Sequence, residues 1–250
     1  MTGEQYSRKF MGKLCIFLAF LFVCTAFLNR YGVRQSTALN SDLPVTEEEK
    51  LYTVLLDAGH GGEDGGAVGV NGALEKDLNL TITRYIKEYL EADGCRVVLT
   101  RNEDRLLYTE EQNIYGQRKL YDLRNRLEIA AKQENPILVS IHMNRFSQSK
   151  YSGLQVYYSK NHPDSRTLAA KIRAEVIQKL QPQNNRQIKE ATTSIYLLNR
   201  AEMPAVLVEC GFLSNPDECE NLSREDYQKR LAKVIADSIL AHIKSKALDQ

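Results

Sequence analysis

The sequence contains no tryptophan, and only 6 prolines and 14 glycines are spread over its 250 residues. This excludes collagen-like and low-complexity chains, and a 43% hydrophobic content excludes a wholly disordered one. An excess of one charge sign is also missing, with 33 basic residues against 32 acidic ones. The balance is local as well: residues 1–50 carry 6 Lys/Arg and 5 Asp/Glu, leaving 27 of each sign for the remainder. No basic field is present to attract nucleic acid. The 5 cysteines form no CxxC pair, and an odd number cannot pair fully. Cys15 and Cys24 lie in an apolar stretch; Cys95, Cys210 and Cys219 read as small buried residues rather than a disulfide framework. No repeat of fixed period occurs.

Long apolar runs are scarce too. Leu14 to Leu28 (LCIFLAFLFVCTAFL) is uncharged over 15 residues, short of the ~20 that a bilayer core requires of a helix. Arg8, Lys9 and Lys13 precede it, the pattern of a signal peptide or membrane anchor over residues 1–28, with the uncleaved anchor favoured. A buried helix of a soluble domain would instead carry a polar face. Basic flanks stay inside, so the remainder of the chain is expected outside the cytoplasm. Residues 29–50 are polar, contain Pro44 and end in an acidic run, as a linker would. Residues 51–250 then form one domain, large enough to bury a sizeable core.

Within that domain strand and helix patterns alternate. Strands are predicted at Thr53–Asp57, Arg96–Thr100, Ile137–Ile141, Leu154–Tyr158, Ile195–Leu198 and Ala205–Glu209. Leu74, Leu78, Ile82, Ile86 and Leu90 recur every four residues and stop at Asp93-Gly94, which predicts a helix. Further helices are expected over Leu120–Lys132, Arg166–Leu180 and Arg224–Lys246. The implied fold class is α/β: a single domain with a mostly parallel twisted sheet flanked by helices on both faces, preceded by the N-terminal signal anchor.

In such sheets functional groups gather beyond the carboxyl ends of the strands. Three ends carry chemistry here: Asp57-Ala58-Gly59-His60, Ser140-Ile141-His142 and Val208-Glu209-Cys210. Glu75 opens the first long helix, 15 residues after His60. Two imidazoles and a carboxylate with one position open make a common catalytic zinc set. Asp57 and Asp64 are candidate acceptors for an imidazole N–H, and Glu209 a candidate general base. Each residue also has a structural reading: a helix-dipole partner for Glu75, an ordinary strand-end carboxylate for Glu209. His162 and His242 read as surface or helix residues.

LDAGHGGEDGGAVGVNGALEKDLNL, VSIHMN and AVLVECGFLSNPDE resemble, in order, the three signature blocks of the zinc-dependent N-acetylmuramoyl-L-alanine amidases, the Amidase_3 family. The similarity spans roughly residues 53–243, with Thr100-Arg101 and Asn185-Arg186 as lesser marks. The resemblance implies that His60, Glu75 and His142 hold one Zn2+ ion and that Glu209 is the catalytic carboxylate. It further implies hydrolysis of the amide between N-acetylmuramic acid and L-Ala of the peptidoglycan stem peptide. Length, anchor and the segment Tyr115–Lys119 resemble the germination-specific members, which act in spore-cortex muramic lactam formation beside a separate deacetylase. A vegetative wall-remodelling or cell-separation amidase is the alternative, and a non-catalytic peptidoglycan-binding protein a more distant one. Expected partners are therefore peptidoglycan, a deacetylase acting on the same glycan, and the membrane through residues 1–28. The expected location is extracytoplasmic, membrane-anchored or secreted, extending to the forespore intermembrane space. Ala58 stands where the family has Pro, and Met143 and Arg145 where it has small residues. Only a short turn separates Tyr158 from Arg166, where some division amidases insert a blocking helix.

Overall fold

A computed structural model describes residues 52–248. The expected anchor at 1–28 and linker at 29–50 lie outside the described residues. Among those described, no helix is long and apolar enough to cross a membrane. The strands are β1 (Thr53–Ala58), β2 (Arg96–Leu99), β3 (Pro136–Asn144), β4 (Gln155–Tyr158), β5 (Lys189–Glu190) and β6 (Ala205–Phe212). The helices are α1 (Glu75–Ala92), α2 (Arg118–Ala131), α3 (Pro163–Lys179), α4 (Tyr196–Arg200), α5 (Pro216–Ser223) and α6 (Glu225–Leu248).

The strands form one sheet in the order β2-β1-β3-β6-β4-β5. Neighbours run parallel except β4 and β6, which are antiparallel, so the sheet is mixed. Helices α1, α3 and α6 pack over one face, α2 and α4 over the other. Strand alternation serves both faces. Val54, Leu56, Ile137, Val139, Ile141, Val206 and Val208 fill the larger core, whereas Leu55, Leu138, Ala205 and Leu207 fill the smaller one.

The helix α1 buries the expected stripe of Leu78, Ile82, Ile86 and Leu90. It ends where Gly94 takes φ +82, so that Gly94 N–H reaches Glu91 O and Cys95 N–H reaches Leu90 O. A residue with a Cβ pays a steric penalty in that left-handed conformation. Three elements differ from expectation, the first being β5, whose two residues are too few to carry a pattern. Ile195–Leu198, read as a strand, lies at the start of the short helix α4, with Leu197 and Leu198 buried. A four-residue apolar run fits one buried helical turn as well as a strand. The helix α5 falls where no element is predicted, although Asn215 caps it by accepting from Glu218 N–H and Pro216 occupies its first turn. The cysteines Cys95, Cys210 and Cys219 are free, the last two buried.

Candidate active site

Strand parity decides which side chains meet. Asp57, Ser140, His142, Leu207 and Glu209 alternate with the residues of the larger core and therefore face α2 and α4. The β3–β6 register sets His142 opposite Glu209, and a bulge follows at once, since Asn144 next pairs with Phe212. Such bulges re-aim side chains at the end of a ladder. A cavity of about 240 Å³ opens there, and its walls include His60, His142, Glu209, Lys119, Arg126 and Tyr196.

His60 follows β1 in a left-handed conformation, φ 62. Only tight surroundings keep a non-glycine residue there. Arg126 and Arg101 supply them, both nearly fully buried. Arg126 Nη1 donates to Ala58 O and its Nη2 to His60 O, each at 2.7 Å. Arg101 Nε donates to Ala58 O at 2.9 Å and its Nη2 to Gly59 O at 3.0 Å. Three successive carbonyls of the loop are thus held by two guanidinium groups. Asp57 neutralises Arg126 Nη1 at 2.7 Å and accepts from Thr100 Oγ1 at 2.8 Å and Ser140 Oγ at 2.5 Å. Burial pushes the Asp57 carboxyl up, but Arg126 and Ser140 outweigh it and hold the group at about 2.

That corrects one expectation. Among the described residues Asp57 hydrogen-bonds no imidazole; it anchors Arg126. Asp64 does meet its expected partner: Oδ1 stands 2.9 Å from His60 Nδ1, close but off the line of a good hydrogen bond.

Glu75, 3% exposed, sits at the first turn of α1. Its Oε1 lies 3.2 Å from His60 Nε2 and 3.0 Å from His142 Nδ1. Ala67 N–H donates to Oε2 at 2.8 Å and Met143 N–H to Oε1 at 3.0 Å. Burial raises the Glu75 carboxyl, yet the two imidazoles hold it well below the usual carboxylate range. Burial lowers the His60 imidazole, while Asp64 and Glu75 carry it up to about 9. The potential at this point is strongly negative and calls for a cation.

One ligand atom each from His60, Glu75 and His142 lies within 4.8 Å of the other two. The surrounding backbone is cut to fit. A Cβ on Gly59 would lie 2.2 Å from the His142 ring, and one on Gly66 would lie 2.6 Å from Glu75 Oε2 and 2.8 Å from His60 Cδ2. Two imidazoles and one carboxylate are the donors of a catalytic zinc site with an open position, so the residues fit that ion. Beside them Glu209 keeps Oε2 buried without a hydrogen-bond partner. Burial pushes its carboxyl up to about 7. His162 and His242 stay apart from the site. His162 caps α3 by accepting from Asp164 N–H, and His242 lies in the helix α6, as expected, where it is buried.

The family model for N-acetylmuramoyl-L-alanine amidase, Amidase_3, matches residues 54–241. The chain belongs to this amidase family. It is 34% identical over 239 residues to the germination-specific N-acetylmuramoyl-L-alanine amidase of Bacillus subtilis (strain 168), across 94% of this chain and 98% of that relative. The CwlD amidase of Clostridioides difficile, solved in complex with the GerS lipoprotein, superposes with a TM-score of 0.73 at 43% identity, over 77% of this chain and 98% of that one. The amidase AmiC2 of Nostoc punctiforme gives 0.66 at 32% identity, over 78% and 98%. The enzyme class is that of an N-acetylmuramoyl-L-alanine amidase acting on peptidoglycan. Sequence reasoning missed Arg126, the residue that ties the amidase loop to the sheet. The signal was available: Asp122, Arg126 and Ala130 form one buried stripe of α2, and a charge inside such a stripe needs a partner.

Proposed function

We propose that this amidase is zinc-dependent, with His60, Glu75 and His142 as the metal ligands and Glu209 as the catalytic carboxylate. The observation that carries the reading is the convergence of those three ligand atoms beside a buried carboxylate oxygen with no partner. When bound, zinc supplies Lewis acidity, acidifying a water and polarising the scissile carbonyl. The chain's own residues do the rest. Glu209, held at about 7, exchanges a proton near neutral pH. It therefore takes the proton of the attacking water and returns it to the departing L-Ala nitrogen. Asp64 orients His60, while Arg101 and Arg126 hold the loop that carries it.

The substrate bond is the amide joining N-acetylmuramic acid to L-Ala, and the biological setting is the spore cortex, in muramic lactam formation beside a deacetylase. Near end-to-end similarity to a germination-specific relative supports that setting. The alternative is vegetative wall remodelling; the chain is also 31% identical to the N-acetylmuramoyl-L-alanine amidase LytC of Bacillus subtilis (strain 168), whose name carries no germination role. Gene deletion separates them: loss of muramic lactam from digested spore peptidoglycan is expected, and unchanged content removes the cortex role. We place the enzyme outside the cytoplasm, in the forespore intermembrane space for a cortex enzyme, in keeping with its wall substrate.

A further inference from the structure

A second cleft, of about 680 Å³, lies past the end of β3, lined by Val70, Arg145, Phe146, Ser147, Ser149 and Ser214. Its walls come from three loops that are stitched together. Phe146 N–H donates to Ser214 Oγ at 3.1 Å, Asn215 Nδ2 to Ser149 O at 2.9 Å, and Val70 N–H to Leu213 O at 3.1 Å. The cleft is therefore formed in advance of any ligand. It offers apolar contact too, since Val70 is 58% and Phe146 49% exposed.

Charge decides what it would hold. Among the described residues, no carboxylate pairs with Arg145. The neighbouring cations are already stacked on rings: Lys150 Nζ is 5.5 Å from the Tyr151 centroid and Arg186 is 4.4 Å from that of Phe212. Arg145 is the charged side chain in the lining of the cleft, and it is left to meet an incoming anion. It stands three positions after His142, hence no more than roughly 10 Å along the backbone from that ligand. An extended peptide leaving the metal covers about the same distance in two to three residues.

We propose that this cleft binds the stem peptide of the substrate and that Arg145 pairs with a carboxylate on its second or third residue. The inference rests on the amidase reading above. A guanidinium fork is well matched to a carboxylate, and binding energy gathered away from the scissile bond appears first in KM. The test uses the full chain and two muramyl tripeptides that differ only in carrying free carboxylates or carboxamides after L-Ala. For the unmodified enzyme, KM is expected to be about tenfold lower on the acid form, a difference of about 1.4 kcal/mol. In Arg145→Ala that preference disappears through a higher KM on the acid form, with kcat held within about twofold; Arg145→Lys restores part of it. Equal KM values for Arg145→Ala and the unmodified enzyme on both peptides would overturn the assignment. No peptide release by the unmodified enzyme from either substrate would overturn the amidase reading itself.

Discussion

Arg126 donates at 2.7 Å to Asp57 Oδ1, Ala58 O and His60 O, so one buried side chain sets the path of the loop that carries His60. Removing one partner of a buried ion pair costs about 3–5 kcal/mol, because the other charge is left without compensation. Arg126→Met should lower the unfolding free energy measured in urea by that amount and loosen zinc together; a value within about 1 kcal/mol of the parent contradicts the assigned role. The pair also predicts a pH effect. The Asp57 carboxyl lies at about 2 in the folded protein against an ordinary 3.8. Its folded value is the lower one, so the ionised group stabilises the fold above about pH 4, and that contribution fades as pH falls towards 2. The stability gap between the parent and Asp57→Asn should therefore narrow on moving from about pH 6 to about pH 3, measured by urea unfolding at each pH. A gap of constant size would show that Asp57 is not held ionised by Arg126. Glycine acts at the same scale. Gly59→Ala drives a methyl into the His142 ring, and zinc content after dialysis should fall well below one ion per chain.

The long helices could be read from periodicity and the central strands from short apolar runs, because α1 and α6 each bury a continuous stripe and β1, β3 and β6 bury both faces. Ile86→Ala in α1 should cost about 2–5 kcal/mol, read as a lower melting temperature, and a change below 1 kcal/mol would deny that the stripe is packed. Short elements escaped for a physical reason. Neither α4, of 5 residues, nor α5, of 8, is long enough to show a period, and α5 is declared by its Asn215-Pro216 cap instead. Three of the candidate site residues were legible for a different cause. His60, His142 and Glu209 each end or follow an apolar strand, a placement that sequence position marks. The stripe of α2 marks Arg126 as a buried charge, but its partners were not legible, since those in the β1 strand and loop are 66 to 69 residues away in sequence. Contacts of that separation are made by topology, through the pairing of β1 with β3 and the packing of α2 beneath them.

At the scale of the whole molecule, the sheet brings three distant strand ends to one edge. Parity turns His142 and Glu209 to one face, and α2 and α4 leave an opening there of about 240 Å³. The near-zero net charge of the chain conceals a locally negative centre at Glu75 and Asp64 and an unpaired cation at Arg145. On the reading proposed above, this arrangement serves a metal ion and a peptide. Within that arrangement Glu209→Gln should retain zinc and lose about 10²- to 10⁴-fold in turnover, as loss of a general base does. Near-parental turnover would assign the proton transfer elsewhere. The central claim, a zinc-dependent amidase cleaving at L-Ala, is tested most directly by mass spectrometry of purified peptidoglycan digested with and without a chelator. Free stem peptide beginning with L-Ala should appear, vanish with the chelator and return with added zinc. Release that ignores the chelator, or products cut at any other bond, would contradict it.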